Sequence, residues 1–157
     1  AIVSNMPYYI TAPLLDRFTA QRAKVERLVL MMQREVGDRI AAPAGKSERG
    51  SLSVSLQRLF TIERLIDVPP EAFAPPPKVR SVVLVLRPRD IVADPDFERL
   101  VRAGFTHPRK TLANNLSAVY PRETILAVAE KEGFEPTIRP HQLTEAQWLT
   151  LQNALKS

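Results

Sequence analysis

The sequence of 157 residues has no cysteine, so disulfide staples and thiolate chemistry are excluded and a reducing compartment is compatible. Histidine is nearly as scarce. His107 and His141 are the two present, too far apart in sequence for a local metal-binding pair, and no metal is expected. The five glycines are Gly37, Gly45, Gly50, Gly104 and Gly133, and no two are close enough to build the G-x-G turn that lets a backbone approach a cofactor. No apolar run approaches the ~20 residues needed to span a bilayer. Residues 1–10 do not read as a signal peptide, because no basic region precedes a long apolar one. No membrane partner is expected.

What is present suits a globular chain. Hydrophobic residues make up 45% and charged residues 25%, enough apolar material for a core. The length fits one ordinary domain, or a small domain with an appendage. Twenty-two Lys and Arg against seventeen Asp and Glu leave a formal charge of +5, with a pI near 9.9. A basic surface attracts polyanions, and nucleic acid is the leading partner class because phosphate contacts draw on Lys and Arg.

Along the chain, residues 1–4 read as the end of a buried strand, broken by Asn5-Met6-Pro7-Tyr8-Tyr9. Thr11 can cap a helix with Pro13 in its first turn. Residues 25–33 form an apolar run of strand length, expected to be covered on both faces as in a parallel sheet. A helix over 34–42 follows, then a polar and mobile loop over 44–50, then a helix over 51–60. Strands are expected over 62–68 and 81–86, joined by a connector that its prolines hold extended. Beyond residue 89 the pattern is helical, with helices over 96–105, 110–119, 121–132 and 144–156. Gly133 suits a helix C-terminus, and Thr144 with Gln147 forms a capping box. Trp148 is expected to anchor the last helix in the core. The organisation is therefore α/β over 1–88 and a small all-α unit over 89–157.

The tetrapeptide Asn5-Met6-Pro7-Tyr8 stands where a parallel sheet presents its ligand-binding edge. Its residue types suit an exocyclic amine on a flat base. The Asn5 amide oxygen can accept a hydrogen bond from the amine. Pro7 fixes the backbone and leaves its carbonyl to accept a second. Two acceptors on one amine localise the nitrogen lone pair and make it a better nucleophile. Tyr8 offers a ring for stacking, worth ~1–3 kcal/mol per base. Taken alone, the same four residues also describe an ordinary strand-ending turn.

The tetrapeptide resembles the N-L-P-Y motif of the ribosomal-RNA adenine dimethyltransferases, with Met6 in place of the usual Leu. Further resemblances follow in order. Met32-Gln33-Arg34-Glu35-Val36 is similar to the family's M-x-Q-x-E-V segment, and Gly50-Ser51-Leu52-Ser53-Val54 to its G-x-L-S-V helix start. The stretch from Val68-Pro69-Pro70 through Phe73, Pro75-Pro76-Pro77-Lys78-Val79 and Ser81 resembles V-P-P-x-x-F-x-P-P-P-K-V-x-S. Phe105 followed by Arg109-Lys110-Thr111-Leu112 and Asn114-Asn115-Leu116 resembles F-x-x-R-R-K-T-L-x-N-N-L, with Pro108 where the first Arg is usual. This last match favours the small-subunit dimethyladenosine transferase branch.

The resemblance implies a Rossmann-like methyltransferase sheet entered at its fourth strand, followed by a small helical domain that recognises rRNA. It implies S-adenosyl-L-methionine as cofactor, with Asn5 and Met6 touching it. The implied reaction is dimethylation of N6 on two adjacent adenines near the 3′ end of 16S rRNA in a small-subunit precursor, in the cytoplasm. It places the target adenine against Tyr8, with Phe73 closing on it and N6 held by Asn5 and the Pro7 carbonyl. Arg49, Lys78, Arg80, Arg109 and Lys110, on loops or helix starts, are the expected RNA contacts. Arg109-Lys110 leads them, since the amides of a helix N-terminus also favour a phosphate.

The family's glycine-rich turn and its ribose-binding acid have no counterpart among these residues. The expectation is an inactive partial chain whose sheet has an open edge and uncovered apolar surface. The competing reading is a non-catalytic rRNA-binding module. A DNA adenine methyltransferase is disfavoured by the C-terminal segment and by Met6, where such enzymes commonly carry a second proline.

Overall fold

The computed structural model describes residues 1–7 and 11–156. Contacts divide the chain into two compact units, one made of residues 1–41 and 56–92, the other of residues 42–55 and 93–157.

The first unit is built on four strands: β1 (Ile2–Asn5), β2 (Leu28–Gln33), β3 (Phe60–Val68) and β4 (Ser81–Pro88). Their spatial order is β1-β2-β4-β3. β1 and β2 run parallel, in a register that sets Asn5 against Met31. A parallel pair needs a crossover, and the chain between them holds helix α1 (Thr11–Ala20) and a 3₁₀ turn at Arg22–Lys24. β4 is antiparallel to both β2 and β3.

The apolar runs were expected to be covered on both faces, and this holds for one strand. In β4, Val82, Leu84, Val85 and Leu86 are all buried, spanning both sides of the pleat. In β2 burial alternates, with Leu28, Leu30 and Met32 buried and the residues between them half-buried. Both strands have neighbours on either side, and β4 is antiparallel to each of its own. Helix α2 (Arg34–Ala41) packs on β4 so closely that a Cβ at Gly37 would collide with the Val82 side chain. The connector into β4 is not simply extended: it opens with a 3₁₀ turn at Pro70–Ala72, where a proline at the first position suits the geometry.

The second unit holds helices α4 (Pro95–Gly104), α5 (Leu112–Leu116), α6 (Arg122–Lys131) and α7 (Glu145–Lys156). Trp148 is fully buried at its centre and stacks on Phe105 with ring centroids 5.7 Å apart. Phe97, Leu100, Val101, Leu112, Leu116, Ile125 and Leu151 complete the cluster, each contributing ~1.5–3 kcal/mol by burial. The capping box forms as read: Thr144 N donates to Gln147 Oε1 at 2.9 Å and Gln147 N to Thr144 Oγ1 at 3.2 Å. Gly133 adopts φ +72°, the left-handed geometry that a helix end favours.

Residues 42–55 cluster with the helical unit, although the sequence pattern assigned them to the α/β part. The loop within them is hydrogen-bonded rather than loose. Gly45 N donates to His141 O at 2.9 Å, and the Arg49 guanidinium donates to Ala42 O at 2.9 Å. Val54, on helix α3 (Ser51–Leu59), belongs to the same buried cluster as Trp148.

Candidate functional site

The site is assembled at the C-terminal end of β1. Met6 continues the ladder by donating its N–H to Met31 O at 2.9 Å. Its side chain is 1% exposed. Burying Met6 anchors the segment, and Pro7, which has no N–H, ends the pairing. Asn5 is exposed and Pro7 half-buried. Phe73 arrives from the proline connector at the end of the 3₁₀ turn, its N–H bound to Pro70 O at 3.1 Å. Asn5, Met6, Pro7, Phe73, Pro75 and Pro77 line one open cavity of about 270 Å³. Residues distant in sequence thus share one wall-and-floor arrangement, with a carboxamide, a proline carbonyl and an aromatic ring. The volume lies just below the ~300–1,000 Å³ typical of small-ligand sites, a size for one flat group. Tyr8, the expected stacking ring, lies outside the described residues.

Pro7 was expected to leave its carbonyl free, and the structure places a donor on it. Thr11 Oγ1 donates to Pro7 O at 3.3 Å, and Thr11 is 9% exposed. A carbonyl has two lone pairs, so a second donor can still be accepted. Thr11 escaped the sequence reading because a threonine at a helix start is explained by capping alone.

The cofactor fit is one-sided. Asn5 and Pro7 offer acceptors to an amine, but among the described residues none lining the cavity supplies an acid for a ribose or a glycine turn for close backbone approach. The residues present suit the methyl-accepting side of such a site. Among the described residues no cluster of His, Cys, Asp or Glu could hold a metal ion, and no helix is long and apolar enough to cross a membrane.

The basic residues separate into three groups. Lys78 and Arg80 are exposed on the segment entering β4, following Pro77 of the cavity. Arg109 and Lys110 are exposed and, with His107 and Pro108, line a shallow depression of about 310 Å³. Arg49 departs from expectation. It is 4% exposed, its guanidinium bound to the Ala42 carbonyl. Burial lowers its pKa and the nearby Glu145 charge raises it. A guanidinium so enclosed is placed to hold the 42–49 loop, not to meet a phosphate.

Arg109 and Lys110 also stand differently from the reading. The helix begins only at Leu112, and Thr111 caps it by accepting from Asn114 N at 3.2 Å. The two cations therefore sit on a loop ahead of the cap and receive no help from helix amides. What shapes that loop is Asn115, 3% exposed. Its Oδ1 accepts from His107 N at 2.7 Å, and its Nδ2 donates to His107 O at 3.0 Å and Thr111 O at 3.1 Å. The sequence signal for this role is the second Asn of the Asn114-Asn115 pair.

Comparison with known proteins agrees with this architecture. Residues 1–157 match the family described as ribosomal RNA adenine dimethylase. A protein named ribosomal RNA small subunit methyltransferase A from Synechococcus elongatus is 40% identical, over 96% of this chain and 57% of its own length. One of the same name from Anaeromyxobacter sp. strain K is 44% identical, over 99% of this chain and 57% of its own. The chain thus spans about 57% of the length of these relatives. Among solved structures, a dimethyladenosine transferase from Plasmodium falciparum superposes with a TM-score of 0.82 at 26% identity, covering 95% of this chain and 64% of that one. The 23S rRNA methyltransferase ErmE superposes at 0.72 with 24% identity, covering 99% and 64%, and speaks for the fold alone. The α/β sheet is therefore that of the Rossmann-like rRNA methyltransferases, and the chain belongs to the ribosomal RNA adenine dimethylase family.

Proposed function

We propose that the protein carrying this chain transfers methyl groups from S-adenosyl-L-methionine to N6 of two adjacent adenines near the 3′ end of 16S rRNA, in a cytoplasmic small-subunit precursor. The observation that carries this reading is the meeting of Asn5, Pro7 and Phe73 around one cavity, in a chain of this family.

In this reading the adenine amine enters with its two hydrogens directed at Asn5 Oδ1 and Pro7 O. Both acceptors draw on the same nitrogen and pull its lone pair out of conjugation with the ring. Thr11, already donating to Pro7 O, holds that carbonyl in place. Phe73 packs on the base, and Tyr8 stacks on it as the family motif implies. The cofactor, bound by the complete protein with Asn5 and Met6 at its edge, supplies an electrophilic methyl group. No strong general base is required, because the amine loses its proton after the methyl arrives.

Lys78, Arg80, Arg109 and Lys110 serve the RNA backbone, together with the helical unit. Arg49 supports that unit from within. The 157-residue polypeptide alone is not expected to bind the cofactor, since its five glycines build no G-x-G turn. Calorimetry showing micromolar cofactor binding by this polypeptide overturns that statement.

Asn5→Ala in the complete protein tests the main claim, with labelled methyl incorporation into unmethylated small subunits as the readout. Loss of one preorganised hydrogen-bonding group in an active site costs about 10²–10³ in rate, and a fall of that order is expected with RNA affinity nearly unchanged. Methylation at the wild-type rate sinks the assignment.

A further inference from the structure

The helical unit carries a second, larger concavity of about 500 Å³, lined by none of the residues assigned above. We propose that it binds one unpaired nucleotide of RNA, its base on Tyr120 and its phosphate at Arg102. The proposal deepens the rRNA reading and rests on it for the identity of the polymer.

The groove is formed between α4, the turn after α5 and the end of α7. Tyr120 packs against the Trp148 cluster and also lines the groove, so its ring is held rather than free. Beside it lie Leu155 and Val119, the latter 61% exposed, an apolar surface open to solvent. Around this floor stand Arg99, Arg102 and Lys156, against Asp96 as the one lining carboxylate among the described residues. Arg99 pairs with Asp96, and Lys156 lies 3.9 Å from Asp94. Arg102, exposed on α4, has no carboxylate partner among the described residues. Thr106 spends its hydroxyl proton on Ala103 O at 2.9 Å, which leaves its oxygen to accept from a base or a ribose hydroxyl.

This combination selects among occupants. A lone ring flanked by cations is the unit from which single-stranded nucleic acid sites are built, stacking on the base and neutralising the backbone. A stable protein partner needs ~800 Å² per side with a depleted-charge centre, whereas here the apolar floor is small and ringed by three cations. An acidic peptide would use the charges and leave the tyrosine idle.

The test uses the complete protein and a short oligouridylate carrying 4-thiouridine, with crosslinks mapped by mass spectrometry and affinity followed by anisotropy across salt concentrations. Crosslinks at Val119 or Tyr120 are expected. Tyr120→Leu, which keeps apolar bulk, should weaken binding about tenfold, within the range of base–ring stacking. Arg102→Gln should reduce the log–log salt slope by about one. Lys46→Gln, exposed on the same unit but outside the groove, should leave crosslinks at the groove intact. Arg102→Gln alters a solvent-facing side chain and remains decisive if Tyr120→Leu unfolds. Crosslinks confined to other surfaces, or an unchanged salt slope in Arg102→Gln, overturn the proposal. Footprinting on the small subunit that finds a protein over this groove also overturns it. None of these results touches the dependence of methylation on Asn5, so this inference and the proposed function fail separately.

Discussion

At the scale of single residues, two polar side chains organise the surfaces that the proposed chemistry uses. Asn115 binds both the N–H and the carbonyl of His107 with one amide. Replacing it by Ala removes the partner of the His107 N–H, while the His107 carbonyl keeps its bond from Lys110 N, a loss of ~0.5–1.5 kcal/mol. Asn115→Ala should therefore lower the urea midpoint with an unchanged m-value and weaken RNA binding through Arg109 and Lys110. Thr11 acts through Pro7 O. Thr11→Val should lower kcat of the complete enzyme several-fold with little change in KM, and Thr11→Ser should restore it. Equal kcat in the Val and Ser variants would show that the hydroxyl does not position the carbonyl. Asn5, Pro7 and Phe73 could be named in advance because a motif fixes residue types at fixed spacing. Arg49 could not be placed. Its partner Ala42 is only seven residues away, but the loop is also tied to His141 and the guanidinium lies near Glu145, both far along the chain.

Secondary elements were read well where a local rule sets them. The capping box at Thr144 and Gln147 is satisfied within four residues, and Thr144→Ala should cost ~1 kcal/mol of stability by thermal or urea unfolding. Gly104 closes α4 against Trp148, where a Cβ would come within 2.6 Å of the indole. Gly104→Ala should destabilise by ~1–3 kcal/mol through overpacking, and its urea midpoint measures this. The start of α4 also predicts a pH dependence. Asp94 accepts from Gln152 Nε2 at 2.8 Å and from Asp96 N at 2.9 Å. Its pKa is lowered, first by the Gln152 hydrogen bond and then by the Phe97 backbone and the Lys156 and Arg99 charges, against an opposing desolvation. A carboxylate with a depressed folded pKa stabilises fully above its unfolded value, about 3.9, and loses that contribution as pH falls through the folded value. Asp94→Asn should flatten the acid limb of stability below about pH 4 and leave its slope at neutral pH unchanged. Helix α5 begins only at Leu112, because the loop that Asn115 ties in place takes Lys110 and Thr111, which the pattern gave to the helix.

At the scale of the whole chain, the sheet meets solvent along β1, where Val3 is 76% exposed and β2 is its paired neighbour. An exposed strand edge with apolar side chains invites pairing with another chain. The 157-residue polypeptide should show concentration-dependent association by light scattering, and Val3→Lys should reduce it. Association unaltered by that change would point to another surface, such as Leu65 and Ile66 on β3, both more than half exposed.

The sequence by itself determined the strands and helices, their order, and the residue types gathered at the β1 end, since periodicity, caps and short motifs act within a few residues of one another. It also fixed the family, through ordered motifs along nearly the whole length. Tertiary structure alone decided that β4 runs antiparallel between β2 and β3, that residues 42–55 join the helical unit, that Arg49 turns inward, and that Tyr120 and Arg102 share a groove. Apart from the Arg49–Ala42 bond, which spans seven residues, these outcomes rest on contacts between segments far apart along the chain. Their energies depend on which surfaces remain to be buried once the local elements have formed, and no local pattern carries that information.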